Sequence, residues 1–577
     1  MLFRQKLISC VLAISFFLRS DTVFAQVKIP PIGESGLSEK MLRQSQPHPK
    51  LPPKIEEPEI VVIEDSRQLT DAGAGPSFLI KKVEIEGNTI FDDKTLAPIV
   101  DVGEGLELTL GILALMAQEV SAHYSMRGYF LTKAYIPKQE IKDGVVKMVV
   151  NEGQIAKIEV TGNKKIKSGD LVKRLKTVQR QKVLREQTLE RTLMELNDLL
   201  GVTVRSVLRP GDLPGTSDLV LEVTETNPYT FGFDTDNFGS AFTGKERFGV
   251  SASAANILTL GDQFFFRGVR SDLGQTLASV SYLFPFTDSG RTTFKISHTF
   301  SQQQLGAALS ALNAGGQTNI FNIEIGHAVW RTKSAQVKLR AGFDSRDFRN
   351  FQLGNLATND EIRDLYVGVG GNISDRFLGR NFFDLKVQRG ISGTDKKSPL
   401  PSRVGGDSTI TVARANLTRF QGTGFLGSYF IFKAGGQITS ARVLSPDQSS
   451  AGGFGTVRGY PLSEIAGDWG LTTSAEYFIP IPWKLPLGFD DLTLNQVLSI
   501  TGFIEHGQVF ILESQPGDKQ ESISGAGWGI QINVPKAKKG WRPAISFSVS
   551  QGFPIEGPRP SDGSPNILYV NGAINFN

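Results

Sequence analysis

The chain has 577 residues and a formal net charge of +4, from 62 Lys and Arg against 58 Asp and Glu. A charge this small for the length excludes nucleic-acid binding through bulk positive charge. The longest apolar run, Leu7–Leu18, is shorter than the ~20 residues that a membrane-spanning helix needs, so a helical membrane domain is excluded.

The first 25 residues have the pattern of a secretory signal peptide. Arg4 and Lys6 precede the apolar run, and Val23–Ala25 fits a cleavage site with small residues at both ends. Cleavage after residue 25 removes Cys10, the one cysteine of the chain, which excludes a disulfide scaffold, thiol catalysis and cysteine-ligated metal. We therefore expect an exported protein that is stabilised by a large core or a closed sheet.

Residues 26–77 are predicted to be a proline-rich linker. Seven prolines lie within residues 27–60, several times the usual ~5%, and such stretches are extended and poorly helical. Leu37–Gln44 is the one candidate in this linker for a short helix.

A repeat with a period of 75 residues follows the linker. The segment Ile80–Asn88, IKKVEIEGN, returns as Ile155–Asn163, IAKIEVTGN. Two further elements return at the same shift: the helical pattern Leu110–Arg127 at Arg185–Leu200, and the closing strand Val145–Val150 at Val220–Glu225. We predict two tandem α+β modules, residues 78–152 and 153–226, each with one strand, two helices and two further strands.

The order of these elements resembles POTRA domains, the periplasmic modules of outer-membrane polypeptide transporters. Gly-Asn closes the first strand of each module, and Gly128-Tyr129 fits the POTRA pattern in the first. The second module departs from that pattern with Gly201-Val202. Without the resemblance, the repeat indicates two small α/β domains of any kind.

Residues 227–577 have the composition and patterning of an all-β region. They hold 45 of the 61 glycines and 31 of the 38 phenylalanines. Apolar and polar residues alternate with period two, which places each set on one face of a sheet. The clearest stretches are 294–301, 335–343, 383–388, 471–479 and 545–550. A soluble β-sandwich has the same alternation.

Length, strand number and the last strand favour a transmembrane antiparallel β-barrel. At about 22 residues per strand and connection, residues 227–577 hold about 16 strands, an even number in the usual range. The final strand places Leu568, Val570, Ile574 and Phe576 on one face, which resembles the assembly signal of outer-membrane barrels. We expect apolar residues to face lipid and polar residues to line a lumen.

A glycine-rich motif in the barrel region carries a more specific resemblance. Gly452–Tyr460, GGFGTVRGY, is followed by Gly467–Gly470, GDWG. The motif resembles the signature of the superfamily of two-POTRA secretion transporters and barrel-assembly factors. The V-R-G-Y tetrad of that signature matches Val457, Arg458, Gly459 and Tyr460. The resemblance implies that the tetrad lies on a long extracellular loop that folds back into the barrel.

The same resemblance implies an acidic partner for Arg458 on the barrel wall, within a motif of the form G-F-x-D-x-G. The corresponding residues here are Gly502, Phe503, Glu505 and Gly507, with glutamate in place of the usual aspartate. A charge inside a lumen needs a partner, and arginine can donate two parallel hydrogen bonds to one carboxylate. The alternative is an ordinary glycine-rich surface turn with a solvated arginine.

Two modules before a barrel resemble the transporter of two-partner secretion systems, the haemolysin and filamentous haemagglutinin secretion-activation family (TpsB). The resemblance covers residues 78–577 and implies an outer-membrane pore with its POTRA domains in the periplasm. Such a pore recognises an unfolded exoprotein through POTRA strand edges and moves it to the cell surface without ATP. The expected partners are a large, β-helical exoprotein, outer-membrane lipid and periplasmic chaperones, and we expect a monomer.

Catalysis, cofactors and metal ions are not expected from the sequence. Residues 239–245, GSAFTGK, nearly match a phosphate-binding loop, but Glu246 stands where Ser or Thr must hold magnesium. The sequence has no G-x-S-x-G motif, and the five histidines have no metal-ligand spacing. The alternatives to a secretion transporter are a barrel-assembly factor, a passive porin and a soluble β-rich adhesin.

Overall fold

The computed structural model describes residues 59–62, 76–514, 520–537 and 541–576. The predicted signal peptide and the candidate helix Leu37–Gln44 lie outside these residues. No helix in the described part of the chain is long and apolar enough to cross a membrane.

Two α+β units precede the barrel, residues 77–151 and residues 154–225. The strands and helices up to residue 225 are β1 (Ile60–Val62), β2 (Ser77–Leu79), β3 (Lys82–Glu86), α1 (Asp93–Val100), β4 (Glu107–Thr109), α2 (Leu110–Met126), β5 (Lys133–Tyr135), β6 (Val145–Asn151), β7 (Gln154–Thr161), α3 (Ser168–Arg174), α4 (Lys176–Gln179), α5 (Glu186–Asn197), β8 (Val202–Pro210) and β9 (Thr216–Glu225). The sheet of the first unit has the order β3-β6-β5, and that of the second has β1-β8-β9-β7. Both units contain the predicted strand, helices and two further strands, but the first adds β2 and β4, which pair in a sheet of their own, and the second adds the short helix α4.

Strand β1 comes from the predicted linker and joins the sheet of the second unit. It pairs in parallel with β8 and forms one edge of that sheet. The proline-rich composition of residues 27–60 does not predict this strand.

The repeated Gly-Asn dipeptide ends the first long strand of each unit for a steric reason. Gly87 and Gly162 have positive φ angles of 89° and 82°, which glycine adopts without strain. A Cβ atom on Gly87 would collide with the carbonyl oxygen of Val150, and one on Gly162 with that of Val223. The same close approach of two strands therefore selects glycine twice, 75 residues apart.

Asparagine and glutamate side chains close the turn after each of these glycines. Asn88 donates to the carbonyl of Phe91 at 3.0 Å, and Asn163 donates to that of Ile166 at 2.6 Å. Glu225 accepts backbone N–H groups at the start of the second turn, from residues 164, 165 and 166 at 2.8–3.0 Å. Burial acts to raise the pKa of Glu225, but the three backbone hydrogen bonds outweigh it and lower that pKa.

Leucine side chains at helical spacing bury one face of α5 against the sheet of the second unit. Leu189, Leu193 and Leu196 are at most 1% exposed, as the sequence pattern predicts. They share a core with Leu171 of α3 and Leu219 of β9. Each unit therefore has a hydrophobic core of its own, that of the first being formed mainly by α1, α2, β3 and β6.

Within the described residues, sixteen antiparallel strands form a closed barrel. Their bounds are β10 (Tyr229–Asp236), β11 (Arg247–Ala255), β12 (Gln263–Ser271), β13 (Thr276–Pro285), β14 (Thr292–Gln304), β15 (Gly315–Arg331), β16 (Ala335–Gln352), β17 (Asn355–Ser374), β18 (Gly379–Gly393), β19 (Thr411–Gly422), β20 (Tyr429–Thr439), β23 (Trp469–Pro480), β24 (Leu498–Phe510), β25 (Glu521–Val534), β26 (Ala544–Glu556) and β27 (Ile567–Phe576). Strand β27 pairs with β10, from Phe231 opposite Phe576 to Asp236 opposite Asn571, and this pairing closes the sheet.

Side chains alternate between the two faces of the barrel wall. On β24, Phe503 and Glu505 point inward and are at most 6% exposed, whereas Ile500 and Ile504 are about half exposed on the outer face. An apolar outer face and a polar inner face are what a membrane barrel requires. On β23, one of the stretches with period-two alternation in the sequence, Leu471 and Ile479 are exposed on the outer face and Glu476 is buried on the inner face, as the pattern predicts.

The connection between β20 and β23, residues 440–468, enters the barrel rather than extending from it. We call it the inward loop. It contains a short 3₁₀ turn, Ser445–Asp447, and a hairpin of β21 (Ser449–Ala451) and β22 (Ile465–Gly467). A four-residue helix, α6 (Leu494–Val497), lies in the connection between β23 and β24, at the opposite end of the barrel.

The second α+β unit is docked on the turns at the end of the barrel where β10 begins. Arg174 donates to the carbonyls of Leu260 at 2.5 Å and Ser289 at 3.0 Å, in two successive turns. Arg331 forms a two-bond ion pair with Asp198, both bonds at 2.8 Å. Leu260 also packs in the core of the second unit, so polar and apolar contacts together hold this unit at the end of the barrel.

Candidate functional site: the inward loop and its anchors in the lumen

The V-R-G-Y tetrad lies inside the barrel and is shielded from solvent. Val457, Arg458 and Tyr460 are each at most 1% exposed. Gly459 has a φ of +100°, and a Cβ atom there would lie 2.6 Å from the backbone of Phe553 on β26. Only glycine fits this close approach of loop to wall.

Arg458 and Glu505 are in direct contact on the wall of the lumen. The Arg458 guanidinium donates to Oε1 of Glu505 from Nε at 3.0 Å and from Nη2 at 2.6 Å. The backbone N–H of Arg458 donates to Oε2 at 2.7 Å. The geometry differs from the expected parallel pair of bonds, because one carboxylate oxygen binds the guanidinium and the other binds the loop backbone.

Glu476 is a second acidic partner that the sequence motifs do not predict. It lies on β23, is 1% exposed, and its Oε1 accepts from Nη1 of Arg458 at 3.1 Å. Lys433 on β20 interacts electrostatically with Glu476, Glu505 and Arg458. The cluster therefore contains two cations and two carboxylates, of which only Arg458 belongs to the loop. Glu476 could have been found from its polar-face position in the alternation at 471–479.

Two phenylalanines enclose the Arg458 guanidinium. Its central carbon lies 3.3 Å from the ring centroid of Phe503 and 5.8 Å from that of Phe454. A cation over an aromatic face gains electrostatic attraction, most of all where water is excluded. Phe503 of the predicted wall motif thus contacts Arg458 directly, beside the predicted acidic residue.

The other end of the tetrad is bound to strands near the closure of the barrel. Tyr460 donates from its hydroxyl to the carbonyl of Glu556 at 2.9 Å, and Tyr569 donates to the carbonyl of Tyr460 at 3.2 Å. The ring of Phe454 stacks on that of Phe238, with centroids 3.7 Å apart. These contacts join the loop to β26, to β27 and to the connection after β10.

The two glycines predicted for the wall motif have different surroundings. A Cβ atom on Gly507 would collide with the side chain of Ala451 in the inward loop, so this glycine makes room for the loop. A Cβ atom on Gly502 would meet only the carbonyl oxygen of Gly527, at 4.0 Å. Nothing in the structure explains why residue 502 is glycine.

Asp447 anchors the start of the inward loop to a different part of the wall. It accepts from Arg346 of β16 at 2.8 and 3.1 Å and from Arg414 of β19 at 2.8 Å. Arg346 also contacts Asp364 at 2.5 Å. This anchor has the opposite polarity to the Arg458 cluster, because here the loop supplies the anion and the wall supplies the cations.

Asp468 anchors the end of the loop. It is fully buried and forms an ion pair with Arg403 at 2.5 and 3.1 Å. It also accepts the backbone N–H groups of Val443 and Leu512, each at 2.8 Å. The acidic residue of the GDWG motif therefore ties the two ends of the inward loop to the connections on either side.

In the described part of the chain, no three side chains of His, Cys, Asp or Glu form a group that could hold a metal ion. Residues 239–245, which nearly match a phosphate-binding loop, form the connection between β10 and β11.

Comparison with known proteins assigns the chain to a family. A sequence model of the haemolysin secretion/activation proteins ShlB/FhaC/HecB matches residues 215–532, more than half of the chain. The chain belongs to this family. A model of the ShlB-type POTRA domain also matches residues 78–153. Members of the family are outer-membrane transporters of two-partner secretion rather than enzymes, and they work with secreted exoproteins.

Individual relatives share this architecture over most of their length. The heme/hemopexin transporter protein HuxB of Haemophilus influenzae is 24% identical over 480 residues, which cover 80% of this chain and 84% of HuxB. The outer membrane transporter CdiB of Dickeya dadantii is 20% identical over 509 residues, 86% of each chain. The solved structure of CdiB from Escherichia coli has a TM-score of 0.69 at 19% identity, covering 94% of this chain and 96% of that one.

These findings confirm the predicted family, fold class, location and broad function. The chain is a two-partner secretion transporter of the outer membrane, with a sixteen-strand barrel and its POTRA domains in the periplasm. We refer to the two α+β units below as POTRA1 (residues 77–151) and POTRA2 (residues 154–225).

Proposed function

We propose that the chain exports one dedicated, unfolded exoprotein through the lumen of its barrel, past the inward loop. The observation that carries this proposal is the position of the V-R-G-Y tetrad, buried inside the barrel and bound to the wall. The proposed domain boundaries are 78–152 and 153–226 for the POTRA domains and 227–577 for the barrel.

In this proposal, the inward loop has to move away from the barrel wall before a client chain can pass. Arg458 makes three hydrogen bonds to Glu505 and one to Glu476 in a site without water access. Withdrawing Arg458 leaves Glu476 and Glu505 with the cation of Lys433 and with hydroxyl donors from Thr501 and Ser474. One carboxylate charge then lacks a compensating cation, and such a buried charge is costly. The loop therefore has a defined closed position, and the entering chain must supply the interactions that replace it.

The transporter acts without nucleotide in this proposal. ATP is not available at the outer membrane, so the free energy comes from the client itself, which folds after it emerges and cannot return. The client is a large secreted protein that reaches the pore unfolded and extended.

The relatives indicate the class of protein to which the client belongs, and not which protein it is. Among them are the heme/hemopexin transporter HuxB and the CdiB transporters. We propose for this chain a large, β-helical exoprotein as client, with periplasmic chaperones keeping it unfolded. The protein acts as a monomer in the outer-membrane lipid and performs no catalysis.

A deletion strain tests the proposed function. Culture medium and outer membrane of the deletion strain and its parent would be compared by mass spectrometry, with a complemented strain as control. We expect one or two large proteins to disappear from the medium while the other outer-membrane barrels stay within twofold. A broad loss of outer-membrane barrels would indicate an assembly factor, and no change in the medium would contradict secretion.

A further inference from the structure

The connection between β23 and β24, residues 481–497, is the longest of the turns at the POTRA2 end of the barrel. POTRA2 contacts this end at the turns after β11, β13 and β15. In the closed sheet, the turn 481–497 is eight of the sixteen strands away from the turn between β13 and β14. It therefore lies on the side of the rim opposite to the docked domain.

Backbone and capping hydrogen bonds give the turn 481–497 a defined internal structure. Leu487 donates its N–H to the carbonyl of Leu492 at 2.9 Å, and Pro486 pairs with Thr493, so these residues form a short hairpin. Helix α6 follows, and a capping box between Thr493 and Gln496 closes its first turn. The connection is thus a folded element of its own.

Arg542 joins this turn to the neighbouring one, residues 535–543 between β25 and β26. Its guanidinium binds Asp490 through Nε at 3.1 Å and through Nη2, and its central carbon lies 5.0 Å from the ring centroid of Phe489. Nη1 donates to the carbonyl of Pro535 at 2.7 Å, within its own turn. We call the joined turns, residues 481–497 with 535–537 and 541–543, the rim platform.

Large apolar side chains of the rim platform are exposed. Trp541 is 86% exposed, Trp483 62% and Leu485 57%. The exposed outer face of the barrel leads onto these residues, because Ile479 at the end of β23 and Ile545 at the start of β26 each stand four residues from one of the tryptophans. The apolar surface that meets lipid therefore continues onto the platform.

Exposed lysines accompany both tryptophans. Lys484 directly follows Trp483, and Lys536 lies in the same turn as Trp541. The described platform holds three cations and two carboxylates, and one of the carboxylates is paired with Arg542. Tryptophan rings lie at the head-group level of a bilayer, and lysine can extend its ammonium group to lipid phosphates from there. The platform therefore matches an anionic lipid surface in both its apolar and its charged groups.

We propose that the rim platform binds anionic phospholipid in the periplasmic leaflet of the outer membrane. Trp483, Leu485 and Trp541 enter the boundary between acyl chains and head groups. Lys484 and Lys536 bind the lipid phosphates. The rim of the barrel is then held on one side by POTRA2 and on the opposite side by lipid.

Tryptophan quenching by brominated lipid tests the site in the full-length protein. The purified chain is placed in phosphatidylcholine nanodiscs that contain equal mole fractions of either brominated phosphatidylglycerol or brominated phosphatidylcholine. The contribution of the platform is the difference in quenching between the parent and the Trp483→Phe, Trp541→Phe double variant. We expect this difference to be at least twofold larger for phosphatidylglycerol, and the excess to shrink as salt is added, because exposed charges are screened.

Removing the two lysines separates lipid selectivity from membrane insertion. In a Lys484→Gln, Lys536→Gln double variant, the excess quenching by phosphatidylglycerol should disappear while the quenching by phosphatidylcholine stays. The matched control is Lys245→Gln with Lys397→Gln, two exposed lysines in connections at the opposite end of the barrel. It should keep the excess. A retained shift in gel mobility on boiling should show that all variants form barrels.

Three results would overturn the proposal. Equal quenching by the two lipids would show a surface without preference for anionic lipid. An excess that survives the loss of both lysines would assign the selectivity to other residues. If neither lipid quenched Trp483 and Trp541, the platform would lie outside the bilayer, as a surface for a protein partner does. None of these results depends on secretion, so the proposed function is tested separately.

Discussion

Arg458 is held by charge, by hydrogen bonds and by aromatic rings together, and this combination decides what its loss would do. Removing one partner of a buried ion pair lowers the free energy of unfolding by about 3–5 kcal/mol, because the remaining charge is neither paired nor hydrated. Here the remaining charges would be Glu476 and Glu505, both at most 4% exposed.

Replacing Arg458 should therefore release the loop without unfolding the barrel. For Arg458→Ala we expect secretion to fall at least tenfold and the mean pore conductance in planar bilayers to rise severalfold. Arg458→Lys keeps the charge but loses the planar guanidinium group. Its secretion and conductance should lie between those of the parent and those of Arg458→Ala.

The matched control is Arg389→Ala, on an exposed side chain of β18 that donates one hydrogen bond to Thr411. The retained shift in gel mobility on boiling should show that both variants form barrels. If Arg458→Ala secretes and conducts like Arg389→Ala, the loop is not held by this cluster.

The inward loop is bound to its surroundings through Arg458, Asp447 and Asp468. We call the part around Asp447 the base of the loop and the part around Arg458 its tip. In Asp447→Asn the side chain keeps its shape but loses its charge, and Arg346 retains Asp364 as a partner. We expect a destabilisation of about 1.5–3 kcal/mol, and faster hydrogen exchange of the loop base near residues 442–448 than in the parent.

Conductance measurements then distinguish loosening of the loop base from release of the loop tip. Asp447→Asn should give noisier single-channel traces with a smaller rise in mean conductance than Arg458→Ala. Asp395→Asn is the control, since Asp395 lies between β18 and β19 and its carboxylate accepts hydrogen bonds from Lys397 and Ser398 of the same connection. Unchanged exchange at 442–448 in Asp447→Asn would show that the base is held by other contacts.

POTRA2 has a pH-dependent element in the turn closed by Glu225. Because the folded-state pKa of Glu225 lies below its ordinary value of 4.5, its contribution to stability is present above about pH 4.5 and is lost as the pH falls through the folded value. The protection of the amides at residues 164–166, measured relative to their intrinsic exchange rate at each pH, should fall as the pH drops below 4.5 in the full chain. Glu225→Gln should remove this pH dependence and exchange faster already at pH 7; an unchanged pH profile in Glu225→Gln would contradict the assignment.

Local patterns in the sequence predict the elements, whereas contacts between distant residues escape prediction. The repeat of Ile80–Asn88 at residue 155 predicts both α+β units, because in each unit the glycine of Gly-Asn is required where two strands approach closely. Period-two alternation predicts which side chains of β23 face the lumen. The contact of Arg346 with Asp447 joins residues 101 positions apart, and that of Arg205 with Glu59 joins residues 146 apart. No spacing rule connects such pairs.

The Arg458–Glu505 contact is an exception, because the resemblance to a family motif supplies the long-range information. The motif names one acidic partner, and the structure adds Glu476 as a second. The role of these residues in transport remains a prediction.

For the whole molecule, POTRA2 and the inward loop lie at opposite ends of the barrel. Polar contacts through Arg174 and Asp198 hold POTRA2 at one end of the barrel, and the inward loop enters from the other end.

Passage of the client through the lumen is the central claim, and site-specific photo-crosslinking tests it most directly. Thr472 and Leu471 are neighbours on β23, but Thr472 shares the inner face with Glu476 while Leu471 is 45% exposed on the outer face. A photo-reactive amino acid at each position, in cells that are secreting, should form adducts with the exoprotein at residue 472 and not at residue 471. Adducts at neither position, or at both equally, would contradict transport through the barrel.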